Sequence, residues 1–157
     1  MTTAFWCLMS TWSKVVELFD TGFVVLRKQR LIFLHWYHHT TVLLFAFYTF
    51  PSFDPANRWF IGMNYFIHGV MYSYYSLKAI GIKLPRNIPV TITSFQFLQM
   101  VVGVGVNIYT LALFWHGTDC SRQLDDVLVG LSMYFSYMIL FGKFFYNSYV
   151  RKSIKTG

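Results

Sequence analysis

Four long stretches of this chain contain no Asp, Glu, Lys or Arg. They are residues 31–53, 59–77, 87–115 and 127–142, the last with an apolar continuation to residue 150. A transmembrane helix needs about 20 predominantly apolar residues. A fifth stretch, residues 4–26, is apolar apart from three charged side chains. Together these stretches predict five transmembrane helices.

The composition excludes most other classes of protein. Only 12% of the 157 residues are charged and 55% are hydrophobic, whereas a soluble domain carries about 25% charged residues. The chain is too apolar to be disordered, and its two cysteines are too few for a disulfide scaffold. No nucleic-acid partner is expected. Because the apolar runs do not alternate as barrel strands do, we predict an all-α polytopic membrane helical bundle forming a single domain over residues 1–157.

Lys and Arg residues alternate between crowded and sparse connections. Residues 27–30, 78–86 and 151–157 carry three each, whereas residues 51–58 and 116–126 carry one each. The positive-inside rule places the basic segments, and therefore the C-terminus, in the cytosol. The net charge of +7 is thus mainly a topology signal. A basic cytosolic rim would also attract anionic headgroups or an anionic substrate.

The densest group of polar residues inside a predicted span is a histidine cluster. His35, His38 and His39 stand at positions i, i+3 and i+4, which share one face of a helix. Ionisable groups within a membrane span are costly and are functional candidates by default. Three imidazoles on one face would be an expensive way to hold two helices together, so we interpret them as a functional site.

The other spans carry polar residues at a similar depth, at about 1.5 Å per residue from their predicted cytosolic ends. These residues are Lys14, Glu17, Asp20 and Thr21 in the first span, Asn64, His68, Tyr72 and Tyr75 in the third, Thr93, Gln96 and Gln99 in the fourth, and Lys143 in the fifth. The opposite half of the spans is nearly all apolar. This pattern predicts a polar chamber open to the cytosol that continues into an apolar tunnel.

The histidine cluster is compatible with three kinds of function. Imidazole is the commonest metal ligand, and Glu17 and Asp20 could complete a di-iron oxidoreductase site. Alternatively, one imidazole attacks an activated acyl group while others move protons. A transporter or channel subunit with protonatable histidines is a third, non-enzymatic hypothesis. Cys7 and Cys120 are expected on the far side, where pairing with each other or with another cysteine is left open.

Four motifs in this order resemble the membrane-bound very-long-chain fatty acid elongases, the condensing enzymes of the endoplasmic reticulum. They are Lys14-x-x-Glu17-x-x-Asp20-Thr21, His35-x-x-His38-His39, Asn64-x-x-x-His68-x-x-Met71-Tyr72-x-Tyr74-Tyr75, and Thr93-x-x-Gln96-x-x-Gln99. The version His35-Trp36-Tyr37-His38-His39 is similar to the subgroup acting on saturated and monounsaturated chains. Family members have seven spans and this chain resembles the last five, so we expect it to lack the first two.

The resemblance implies condensation of a long-chain acyl-CoA with malonyl-CoA to give a 3-ketoacyl-CoA, carbon dioxide and CoA. It implies neither a metal nor a redox cofactor. It also implies an endoplasmic reticulum membrane location, a cytosolic C-terminus and association with other enzymes of the elongation cycle. The preferred acyl chain length and the oligomeric state, including a homo-oligomer, are left open.

The resemblance also implies roles for individual residues. His38 would be the nucleophile that forms an acyl-imidazole, His68 would contact the reacting centre, and His39 or His35 would act as a base or orient the nucleophile. The expected enolate donors are Asn64, Gln96 and Tyr72, the expected partners of the CoA phosphates are Lys14, Lys143, Arg27, Lys28 and Lys83, and the remaining substrate contacts are Glu17, Asp20, Tyr75, Thr93 and Gln99. The apolar half would hold the acyl tail and set its length.

Overall fold

A computed structural model describes residues 2–26, 33–52, 54–85, 87–117 and 120–151. Its elements are α1 (Thr2–Leu26), α2 (Phe33–Thr49), α3 (Asn57–Ala79), α4 (Asn87–Trp115) and α5 (Leu124–Phe145), followed by a π-helical turn over Tyr146–Val150. The described residues contain no strand. The all-α class is confirmed, and each predicted span corresponds to one helix. Arg27 and Lys28, expected at the cytosolic rim, lie outside the described residues.

The outer surface of the bundle is strongly apolar. Large side chains such as Trp6, Phe19, Trp59, Phe66 and Tyr109 are exposed, far beyond the apolar patches of a soluble monomer. Two helical segments, residues 87–115 and 124–149, are long and apolar enough to cross a membrane. The other helices, α1, α2 and α3, contain polar residues within their predicted spans. This is the surface expected of a membrane helical bundle.

The helices surround a common interior. The most extensive pairing joins α4 to α5, and further contacts join α1 to α2, α2 to α5 and α3 to α4. Hydrogen bonds between Ser13 and Tyr65 (2.7 Å) and from Lys14 to Asn64 connect α1 to α3. The buried core consists of Leu34, Phe60, Met100, Val104, Tyr134, Tyr137 and Phe141.

Gly103 allows α4 and α5 to approach closely. A Cβ atom at this position would overlap the ring of Tyr134, whereas a Cβ atom at Gly105, on the same helix, would meet nothing within 4 Å. Tyr134 in turn packs against Phe60, with the ring centroids 5.0 Å apart. The absence of a side chain at Gly103 therefore sets the position of a core aromatic ring.

We expect Gly103→Ala to lower the free energy of unfolding by about 1–3 kcal/mol, because an overpacked core must shift rigid groups. Gly105→Ala should leave stability unchanged or raise it, since alanine favours the helix over glycine by about 1 kcal/mol. Thermal unfolding of the two variants in detergent provides the comparison. Equal stability of both variants would contradict the packing described for Tyr134.

Candidate active site

Two helices bring four imidazoles together. Within α2, the ring centroids of His35 and His39 are 4.5 Å apart and those of His38 and His39 are 5.3 Å apart. His68 of α3 lies 6.4 Å from His38 and 5.9 Å from His39. His38, His39 and His68 are all buried. The rings that the sequence places on one face of α2 thus meet His68 inside the bundle, away from lipid.

His38 is held by aromatic residues of α5. Its ring lies 4.8 Å from that of Tyr137 and 5.9 Å, edge-on, from that of Phe141. The Tyr137 hydroxyl donates to the His38 carbonyl (3.4 Å) and hydrogen-bonds to Thr41 Oγ1. The sequence analysis did not identify these aromatic residues. Tyr134, Tyr137 and Phe141 repeat at a helical spacing that could have marked an inward face.

A buried charged group lies beside the histidines. Lys14 Nζ donates to Glu17 Oε1 (2.7 Å) and to Asn64 Oδ1. Its ammonium also lies 5.2 Å from the centre of the Tyr65 ring. Asp20 follows Glu17 one turn later in α1, and Thr21 is buried. Lys14 is therefore an interior residue in contact with the polar side chain of a neighbouring helix.

The remaining candidate residues lie at different distances from this centre. The Tyr72 ring is 5.7 Å from His68, and Gln99 is buried. Gln96 Nε2 donates to Met71 Sδ (3.4 Å), and Thr93 Oγ1 lies 3.2 Å from the hydroxyl of Tyr149. Three further candidates are exposed, namely Tyr75, Lys83 and Lys143.

A narrow internal cavity of about 80 Å³ connects the polar centre with the opposite end of the bundle. Its polar end is lined by Lys14, His38, Asn64 and Gln99, its middle by Val42, Phe45 and Ala46, and its far end by Thr49, Phe50, Asn57 and Phe60. His38 and Thr49 are eleven residues apart on α2, which corresponds to about 16 Å. The cavity is thus polar at both ends and apolar in its middle, which differs from the apolar tunnel that the sequence predicts because Thr49 and Asn57 line the far end.

An ion pair near the far end of this cavity was missed by the sequence analysis. Arg122 Nη2 donates to Asp54 Oδ2 (2.8 Å), and the two side chains are 4% and 0% exposed. Both residues lie in connections between predicted spans, which the sequence analysis used only to count Lys and Arg. Cys7 and Cys120 are free thiols in this structure, and Cys7 also lines the cavity.

The histidine rings face one another in stacked, tilted and edge-on arrangements. Across the described ranges, no group of three or more His, Cys, Asp or Glu side chains is arranged to hold a metal ion. The imidazoles neighbour one another and His38 lines the cavity, an arrangement suited to nucleophilic attack and proton transfer.

The fold and the cavity define a multi-pass helical membrane protein with a cluster of buried histidines beside an interior cavity. Residues 1–157 match the ELO: GNS1/SUR4 family, so this chain belongs to that family. Among its relatives, very long chain fatty acid elongase 6 of Drosophila melanogaster is 47% identical over 148 residues, covering 93% of this chain and 47% of its own length. Very long chain fatty acid elongase 3 of Homo sapiens is 42% identical over 154 residues, covering 98% of this chain and 57% of its own length.

The chain spans about half the length of the curated relatives it matches. No solved structure matches it. The family resemblance predicted from the four motifs is confirmed.

Proposed function

We propose that this chain carries the active site of a fatty acid elongase, which condenses a long-chain acyl-CoA with malonyl-CoA. Family membership supports this proposal, as do relatives named very long chain fatty acid elongases. The observation that carries it is the proximity of His68 to His38, from different helices, together with a cavity that begins at His38 and continues between apolar side chains. A condensing enzyme for lipids needs a reacting centre at one end of an apolar tunnel.

In the first step, an imidazole nitrogen of His38 attacks the thioester carbonyl carbon of the acyl-CoA. An acyl–nitrogen bond forms, the carbon–sulfur bond breaks, and CoA leaves as the thiolate. The imidazole proton passes to a neighbouring base, for which His39 is placed with its ring 5.3 Å from that of His38. The protonated His39 then gives this proton to the thiolate, which leaves as CoA. Packing of His38 against Tyr137 and Phe141 favours this step because it restricts the orientation of the nucleophile.

In the second step, malonyl-CoA loses its carboxylate as carbon dioxide, and the bonding electrons form an enolate. The enolate carbon attacks the acyl carbonyl, and the bond to His38 breaks with its electron pair returning to the imidazole nitrogen. This nitrogen takes up a proton from solvent, and the 3-ketoacyl-CoA is released. Preorganised donors stabilise charge that develops in such a transition state. Lys14 and Asn64 line the cavity beside His38, and we assign them to this role together with Tyr72 and Gln96.

The apolar middle of the cavity would receive the acyl tail, and the cavity of about 80 Å³ would have to widen to admit a long chain. Val42, Phe45 and Ala46 line it between the polar and far ends. Each methylene group transferred from water to such surroundings contributes about 0.8 kcal/mol. Binding of the tail therefore fixes the thioester beside His38 without any polar contact along the chain.

The cytosolic end of the bundle would bind the charged part of the substrates. Lys83 is exposed in the connection between α3 and α4, and basic side chains attract phosphate groups. We propose an orientation with the C-terminus in the cytosol, a location in the endoplasmic reticulum membrane, and hand-over of the product to separate reductase and dehydratase enzymes. We also propose that residues 1–157 form a single domain, comprising the last five helices of the family fold.

The direct test is a condensation assay with the purified chain in liposomes. Palmitoyl-CoA and malonyl-CoA labelled at the free carboxyl carbon are supplied, and released carbon dioxide and 3-ketoacyl-CoA are both quantified. The proposal predicts one carbon dioxide per 3-ketoacyl-CoA and no release without the acyl-CoA. Release of carbon dioxide without a condensed product, or neither product, would contradict it.

A further inference from the structure

The far end of the cavity is formed where α2 ends and α3 begins. We call Thr49, Asn57 and Phe60 the cavity floor. Thr49 and Phe60 are buried, and all three line the cavity. Asn57 Nδ2 donates to Thr49 Oγ1 (3.2 Å), which joins the two helices. The floor is therefore held together across the α2–α3 turn.

Arg122 binds this turn from the segment between α4 and α5. Its Nε donates to Asp54 Oδ1 (2.9 Å) and its Nη2 to Asp54 Oδ2 (2.8 Å), a bidentate geometry that fixes orientation as well as distance. Asp54 Oδ1 also accepts from the Ala56 amide (2.9 Å), and the Asp54 carbonyl accepts from the Asn57 amide (3.0 Å). Arg122 thus orients the first residues of α3 through Asp54.

The rest of the guanidinium binds α4 and covers the floor. Nη1 donates to Thr110 Oγ1 (3.1 Å) and Nη2 to Asn107 Oδ1 (3.2 Å). The guanidinium carbon lies 5.9 Å from the centre of the Phe60 ring. Neither Arg122 nor Asp54 lines the cavity. The ion pair therefore holds the floor from outside, against the adjacent helix.

Phe60 lies one helical turn from Asn64, between the polar centre and the end of α3 at Asn57. It precedes Asn64 by four residues on α3, and such residues share one helix face. Its ring packs against Tyr134 with centroids 5.0 Å apart, and Tyr134 also lines the cavity. Removing the Phe60 ring would extend the cavity towards the space that Arg122 occupies.

We propose that Phe60 limits the length of the acyl chain that the cavity accepts, and that the Arg122–Asp54 ion pair is the positioning device that keeps Phe60 in place. This inference rests on the proposed function because it assumes an acyl chain as the occupant. Discrimination by one methylene group in an apolar pocket is about 10- to 200-fold. With a fixed floor, affinity should therefore fall sharply once the acyl chain exceeds the limiting length. With a loosened floor, affinity should fall gradually.

The test measures binding first, so that it does not depend on turnover. Non-hydrolysable acyl-CoA thioethers of increasing chain length are titrated against the full chain, and their affinity is measured. We expect affinity to rise with length and then to fall at least about tenfold beyond a limiting length. In Phe60→Ala this limit should move to longer chains. Phe60→Leu, which retains a core side chain, should move it by a smaller amount.

Trp59→Ala is the matched control, because Trp59 neighbours Phe60 on α3 but is 69% exposed. Its limiting length should equal that of the unmodified chain. An unchanged limit in both Phe60 variants, or an equal shift in Trp59→Ala, would overturn the inference. A length limit that moves as expected in a chain without condensation activity would support this inference while contradicting the proposed function.

The positioning role has its own variants. Thr110→Val removes one acceptor of the Arg122 guanidinium at nearly constant volume, and Arg122→Lys keeps the charge but not the bidentate geometry. We expect the fall in affinity beyond the limit to become several-fold shallower, with binding of the shortest thioethers changed less than about twofold. A uniform loss of affinity at all lengths would identify the ion pair as structural only.

Discussion

The His38→Ala variant should lose condensation of palmitoyl-CoA with malonyl-CoA by at least about 1000-fold. The acyl-imidazole cannot form without this ring, and loss of a nucleophile removes catalysis that the remaining site residues do not replace. The measurement is product formation in liposomes, with 3-ketoacyl-CoA quantified by mass spectrometry. Circular dichroism of the variant should retain the helical content of the unmodified chain.

His116→Ala is the control for the loss of an imidazole. His116 is exposed in the turn after α4 and does not line the cavity, so its removal should leave turnover within about twofold. Turnover by His38→Ala within about tenfold of the unmodified chain would remove His38 from the nucleophile role. Equal losses in both variants would point to a general effect on folding.

The largest effect on stability is expected from Arg122→Met. Breaking a buried ion pair by removing one partner costs about 3–5 kcal/mol, because the remaining charge is buried without compensation. Asp54 is fully buried and receives its ion-pair contact from Arg122. Thermal unfolding in detergent should therefore show a large decrease in the free energy of unfolding for this variant.

Arg58→Met is the matched control, since Arg58 is an exposed arginine near the start of α3. Its stability should change by less than about 1 kcal/mol. Adding Asp54→Leu to Arg122→Met should recover part of the loss, because the uncompensated carboxylate is then absent. A decrease as large for Arg58→Met as for Arg122→Met would contradict the structural account of the ion pair.

The helices were predictable from the sequence because the bilayer imposes a length and a polarity on each span. The charge-free residues 59–77 and 87–115 fall within α3 and α4. The clustering of His35, His38 and His39 followed from helical periodicity alone. The proximity of His38 to His68 could be predicted once the second and third spans were taken to be neighbours.

The pairing between distant polar residues was not predictable. Arg122 and Asp54 are 68 residues apart, and nothing local distinguishes them from solvent-facing loop charges. The depth of a residue in its predicted span also does not tell which face of the helix the residue occupies. Lys143 follows the buried Phe141 by two residues, which rotates it by about 200° around the helix. It is therefore exposed.

Trapping the acyl-enzyme tests most directly whether the cavity holds a nucleophilic imidazole. The chain is incubated with palmitoyl-CoA in the absence of malonyl-CoA, quenched, digested and analysed by mass spectrometry. We expect a palmitoyl adduct on the peptide containing His38, its absence in His38→Ala, and its disappearance when malonyl-CoA is added. An adduct on another residue that is equally discharged by malonyl-CoA, or condensation without any adduct, would contradict the account.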